Sequence, residues 1–282
     1  MRWSFQNYIM LKSSRKKLIA IGCSFTRYRG RDPDIPKYKG YWPTLLSEKL
    51  DMECVNLGRP GMGNEYISAK LIDTILSEKK EDIGLVVLMW SGWQRMDFED
   101  TNDNWVKLRP SPSPGTVTSI ITKSLPEILS DQHKPEAFLN IQNYETMLML
   151  NNIMLKCNNA HNATMKSLRH FLIAQKLLED IPYLMVQGIG PVYLDEFIER
   201  KSKHIWLQSF LNSKIFDEID EKKFIGWPIL KPIGGYTINN MLDKIDPEQK
   251  ELRMSDKDTH PNAEGHKIIS QEIYNAYEKI YT

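Results

Sequence analysis

A serine, a histidine and an aspartate stand in two short polar segments at opposite ends of this chain of 282 residues. Ser24 lies in GCSFT, directly after the apolar run Leu18-Ile19-Ala20-Ile21. His260 lies in DTHPN, two residues after Asp258. A serine hydroxyl is a weak nucleophile and needs a base within hydrogen-bond reach. One ring nitrogen of His260 can take the Ser24 proton. A carboxylate on the other nitrogen fixes the tautomer and favours the imidazolium that forms, and Asp258 can supply it from the same loop. The glycine-rich stretch NLGRPGMGN, 56–64, offers backbone N–H groups that can approach a developing oxyanion, since no side chain blocks the way. Each feature also has a plainer reading: a serine closing a turn, a tight glycine loop, a loop histidine beside Pro261.

The elements around these segments decide whether they can meet. Residues 17–22 read as a short buried strand, and 53–57 and 84–90 as two more. Pro43 suits the first turn of a helix whose apolar face is Leu45, Leu46 and Leu50. Ile67, Leu71 and Ile75 predict a helix over 65–79. Strands alternating with helices imply crossovers and a mainly parallel sheet, and continuous apolar strands suit a sheet covered on both faces. Residues 91–135, with the stretch RPSPSPGTVTS, read as an extended loop. Two helices are expected within 136–180, with Met147, Leu150 and Met154 on the first and Leu168, Phe171 and Leu172 on the second. A fourth strand is expected over 181–188, and a final helix over 262–280 with Asn262 as its N-cap. Ligands of such a sheet bind beyond the carboxyl ends of the strands. Ser24, the 56–61 loop, the segment Trp90-Ser91-Gly92-Trp93-Gln94-Arg95 and the 255–262 segment all fall there.

The segments GCSFT, NLGRPGMGN and DTHPNAEGH resemble three sequence blocks of the SGNH (GDSL-type) hydrolases, which are α/β/α esterases and acylhydrolases. The resemblance covers about the first 97 residues and the last 25; MWSGWQR is similar to the divergent branch found in bacteriophage and bacterial genomes. It implies a nucleophile at Ser24, a base at His260 and an acid at Asp258, with Asp256 in reserve. It implies oxyanion donors at the N–H groups of Ser24 and Gly61. Three positions depart from the family pattern. Cys23 replaces an Asp before the serine, and Lys257 stands between the two candidate acids. The third block, normally Gly-x-Asn-Asp, reads Ser91-Gly92-Trp93-Gln94, so its oxyanion-binding Asn is replaced; the amides of Asn64 or Gln94 can substitute. Trp93 and Arg95 are candidate substrate-binding residues, Trp93 by stacking on a sugar ring; Trp90 and Trp105 are two more tryptophans that can stack or fill the core. Arg95 and Asp97 also read as a surface ion pair.

The expected architecture is a single α/β domain, 1–282, three-layered α/β/α with a mainly parallel sheet, SGNH-like and flavodoxin-like in order. Residues 100–180 are the expected helical insertion or lid after strand three. The expected activity is serine ester hydrolysis, removing acetyl or other acyl groups from a carbohydrate. The second expectation is a weakly active binding or structural module, for example of a phage particle.

Composition narrows the rest. Net charge is +1, which favours neither nucleic acid nor an anionic membrane as partner. Three cysteines are too few and too scattered for a disulfide framework or a zinc site. No metal or organic cofactor is implied, and no G-x-G-x-x-G follows the first strand, which speaks against dinucleotide binding. The expected partners are a small-molecule or carbohydrate ester and a virion or homo-oligomer. The first residues carry no apolar block of secretion-signal type, so the expected setting is the cytoplasm where the chain is made.

Overall fold

The computed structural model describes residues 15–27, 40–99, 105–108, 160–190, 207–256 and 258–282. Five strands form one sheet: β1 (Lys17–Gly22), β2 (Glu53–Asn56), β3 (Ile83–Trp90), β6 (Tyr183–Gln187) and β7 (Phe224–Ile225). Their order is β2-β1-β3-β6-β7, and every pairing is parallel. The order reverses direction between β1 and β3. That switch point opens a crevice at the carboxyl ends of the strands, and Ser24 follows β1 directly into it.

Side chains alternate across the sheet with the period of a pleated strand. Ile19, Ile21, Val86, Leu88, Trp90, Tyr183 and Met185 face one side, where α2 (Asn64–Ser77) and α3 (Ala160–Leu177) cover them. Leu18, Ala20, Leu85, Val87, Met89, Leu184 and Val186 face the other, under α1 (Trp42–Lys49), α4 (Ile238–Ile245) and α5 (Ala263–Tyr281). The result is the expected three-layer α/β/α architecture. The inner strands β1, β3 and β6 are largely apolar on both faces because both faces are buried.

Helix starts follow local chemistry. Pro43 stands in the first turn of α1. Asn262 caps α5, its side chain accepting the Gly265 N–H at 3.0 Å. Thr237 and Asn240 form a reciprocal capping box at α4.

Three expectations change. The stretch read as loop after β3 contains an antiparallel hairpin, β4 (Met96–Glu99) with β5 (Trp105–Leu108). The end of the expected insertion, α3, leads the chain into β6. Its Leu168, Phe171 and Ala174 are fully buried in the core, so that part belongs to the helical layer and not to a lid. The two-residue β7 lies in a stretch that had no strand expected. The Pro/Ser stretch, the helix around Met147–Met154 and the rest of 109–159 lie outside the described residues.

Candidate active site

β1 ends at Gly22, and the chain turns at once. The N–H groups of Thr26 and Arg27 both bond to the Cys23 carbonyl, at 3.0 and 3.1 Å, which sets Ser24 on the outside of a tight turn. Gly22 has to be glycine. A Cβ there would fall 2.1 Å from the Thr26 hydroxyl and 2.9 Å from the Met89 carbonyl. The buried Trp42 indole of α1 donates to the Phe25 carbonyl at 3.0 Å and pins the turn from one side. Asn56 pins it from the other, donating to the Thr26 carbonyl at 3.1 Å.

The final hairpin, β8 (Arg253–Ser255) with β9 (Asp258–Pro261), approaches from the far end of the chain. His260 Nε2 lies 2.8 Å from Ser24 Oγ, and His260 Nδ1 lies 2.5 Å from Asp258 Oδ1. The same carboxylate oxygen accepts the His260 backbone N–H at 3.1 Å, which ties ring and backbone of His260 to one acceptor. The Phe25 ring packs against the imidazole, 5.7 Å between centroids. Ser24 is 4% exposed, whereas the His260 and Asp258 side chains are about a third exposed. Asp256, the reserve acid, is exposed on the turn between β8 and β9.

The glycine loop runs beside this turn. The Leu57 N–H bonds to the Ala20 carbonyl and the Arg59 N–H to the Gly22 carbonyl, at 2.8 and 2.9 Å. Gly61 is buried and has a φ of +81°, a conformation that side-chain-bearing residues rarely adopt. Among the described residues neither the Ser24 N–H nor the Gly61 N–H has an acceptor. Buried backbone donors are nearly always paired, so an N–H without an acceptor in a buried residue is free to bind an incoming oxygen.

The remaining candidates fall differently. Asn64, 1% exposed, accepts the Ser91 N–H at 2.8 Å and donates to Ser167 Oγ at 3.2 Å, linking α2, α3 and the loop after β3. Gln94 folds its amide over Gly92, where a Cβ would stand 3.0 Å from both its terminal atoms. Trp93 is not a sugar platform. It is 1% exposed, lies against Phe171 and Phe210, and donates its indole N–H to Gln187 at 3.2 Å. Trp90 is equally buried, and Trp105 packs edge-on against Tyr66. The tryptophans of this region fill the core.

Arg95 and Asp97 are likewise not a surface pair. Arg95 Nη1 donates to the Met62 carbonyl at 3.0 Å and to Ser91 Oγ at 2.7 Å, so the guanidinium braces the glycine loop against the loop after β3 and is spent on structure more than on a substrate. Asp97, 5% exposed, accepts the N–H groups of Gly63 and Tyr66, at 2.5 and 3.2 Å, at the start of α2. Burial, and then the nearby Glu65, push its carboxyl up to about 6. Sequence reasoning missed two further buried groups, Gln187 and Arg253. Gln187 donates to the Ser91 and Ile189 carbonyls, at 2.7 and 2.6 Å, and so holds the ends of β3 and β6 together. Neither residue carries a local signal, because each is defined by partners on other elements.

The chain matches no protein-family model and no curated protein. It is similar to solved structures of lipolytic proteins and esterases. One is a member of the lipolytic G-D-S-L family from Veillonella parvula, at 11% identity and TM-score 0.45, covering 94% of this chain and 100% of that one. A psychrotrophic esterase from Pseudoalteromonas sp. has 12% identity and TM-score 0.45, covering 94% of this chain and 97% of that one. An acetylxylan esterase from Geobacillus stearothermophilus has 12% identity and TM-score 0.45, covering 93% of each chain. Among the described residues no cluster of His, Cys, Asp and Glu could hold a metal ion, and no helix is long and apolar enough to cross a membrane.

Proposed function

We propose that this protein is a serine esterase of SGNH type. The observation that carries the reading is the unbroken hydrogen-bond chain Ser24–His260–Asp258. Ser24 Oγ attacks the carbonyl carbon of an ester while His260 Nε2 takes its proton. Asp258 holds His260 in the tautomer that presents Nε2 to the serine and stabilises the imidazolium. The N–H groups of Ser24 and Gly61 receive the oxyanion of the tetrahedral intermediate. Asn64 is the proposed third donor, with Gln94 as the alternative: the Asn64 carbonyl oxygen and one amide proton are committed, and the second proton remains. Collapse expels the alcohol with the proton from His260. Water then enters by the same route in reverse, releasing the acid and restoring Ser24.

The substrate class proposed is an acylated carbohydrate, on the resemblance of the sequence blocks; the buried tryptophans lend it no support. The test gives the purified protein p-nitrophenyl acetate and acetylated sugars. Turnover that disappears in Ser24→Ala supports the esterase. A folded protein without turnover on any ester leaves the alternative, a binding module that keeps the fold, which the altered third block would then explain.

A further inference from the structure

The hairpin that carries Asp258 and His260 is small. β8 and β9 have three and four residues, with a register shift between Arg253 and Ser255. An isolated two-stranded hairpin of this kind is marginal in water, yet a triad needs its groups held to a fraction of an ångström. Something must tie it to the rest of the fold. Arg253 is in the right place. It is 2% exposed, and its Nη1 donates to the carbonyl of Thr259 at 2.8 Å. Thr259 is the residue between the acid and the base. The other terminal nitrogen, Nη2, reaches α4, donating to the Asn239 carbonyl at 3.1 Å and pairing with the Asp243 carboxylate. Asp243 is itself held by the amides of Asn239 and Gln249, at 3.0 and 3.1 Å. The end of α4 adds a second clasp, with Asp246 accepting the N–H groups of Glu251 and Leu252 at 2.8 and 2.9 Å.

We propose that Arg253 is a positioning residue for the triad: its buried guanidinium clamps the Thr259 carbonyl to α4 and thereby fixes the distance between Asp258, His260 and Ser24. The inference rests on the esterase reading for its catalytic consequence, though not for its geometry. A planar fork is required, because one end must hold a carbonyl in the hairpin while the other holds a carbonyl and a carboxylate on the helix. The ammonium of lysine is a single point and cannot span both.

The test compares wild type, Arg253→Lys and Asp243→Asn. The first readout is the far-downfield proton resonance of His260 Nδ1–H, assigned by its loss in His260→Ala. The second is kcat and KM on p-nitrophenyl acetate, with melting temperature alongside. Arg253→Lys is expected to broaden or shift the resonance and to lower kcat about 100-fold with KM little changed. Asp243→Asn keeps both carbonyl contacts and is expected to lose about tenfold in kcat, with a smaller change in the resonance. It serves as the decisive arm if Arg253→Lys does not fold. A resonance absent from the wild type, or unmoved in the folded variants, overturns the proposal, as does an unchanged kcat in an active enzyme. If the wild type hydrolyses nothing, the esterase reading fails by itself, and the resonance still decides whether Arg253 sets the His260–Asp258 contact.

Discussion

His260 Nε2 lies 2.8 Å from Ser24 Oγ although 236 positions separate the two residues along the chain. Two elements bring this about. β1 ends at the switch point of the sheet and releases Ser24 there. The final hairpin, clasped to α4, delivers His260 to the same edge.

The acidic member of the chain is Asp258, by contact. Asp258→Asn should lower kcat by about 10⁴, since an amide at that position favours the wrong imidazole tautomer. Asp256→Asn should leave kcat unchanged, because that carboxylate is exposed on the turn. Equal losses in the two variants would contradict the assignment.

The proposed donor role of Asn64 can be separated from its bond to the Ser91 N–H. Asn64→Asp keeps an oxygen for the Ser91 N–H but removes the amide donor, and kcat should fall about 100-fold. Asn64→Ala also orphans the buried Ser91 N–H and should cost a further 1–3 kcal/mol or about that in unfolding free energy. Gln94→Ala should reduce kcat less than either. A larger loss at Gln94 would move the third oxyanion donor there.

Asp97 makes stability depend on pH in a defined direction. In the folded protein its carboxyl holds a proton up to about pH 6, and in the unfolded chain only to about pH 4. Between those values the folded state binds the extra proton. Its contribution to stability is therefore fully present below about pH 4 and is lost as pH rises through about 6. Between pH 4 and pH 7 the wild type should lose about 2 kcal/mol relative to Asp97→Asn, measured by urea unfolding. Parallel stability curves for the two proteins would contradict this.

Much of this was legible in the sequence for local reasons. β1 and β3 are apolar along their length because both faces of a parallel sheet are covered, and Ser24 and the 56–64 loop sit where such strands end. Asn262 announced the last helix through its capping side chain. Other features depend on partners that no window of sequence contains. Phe224–Ile225 forms a strand because β6 offers it an edge, and two residues have no periodicity. Asp97 looks like a surface charge until Gly63 and Tyr66 turn their N–H groups to it. Trp93 suits a sugar platform and a core equally by residue type; Phe171 and Phe210, from elements far along the chain, decide for the core. Arg253 is buried only because Asp243 and two carbonyls receive its charge.

The central claim is that Ser24 is an activated nucleophile. Its most direct measurement is reaction with a fluorophosphonate probe, followed by mass mapping of the labelled peptide in wild type, Ser24→Ala and His260→Ala. A single adduct on Ser24 is expected, absent from Ser24→Ala and strongly slowed in His260→Ala. A folded wild-type protein that stays unlabelled, or one labelled equally well without His260, would contradict it.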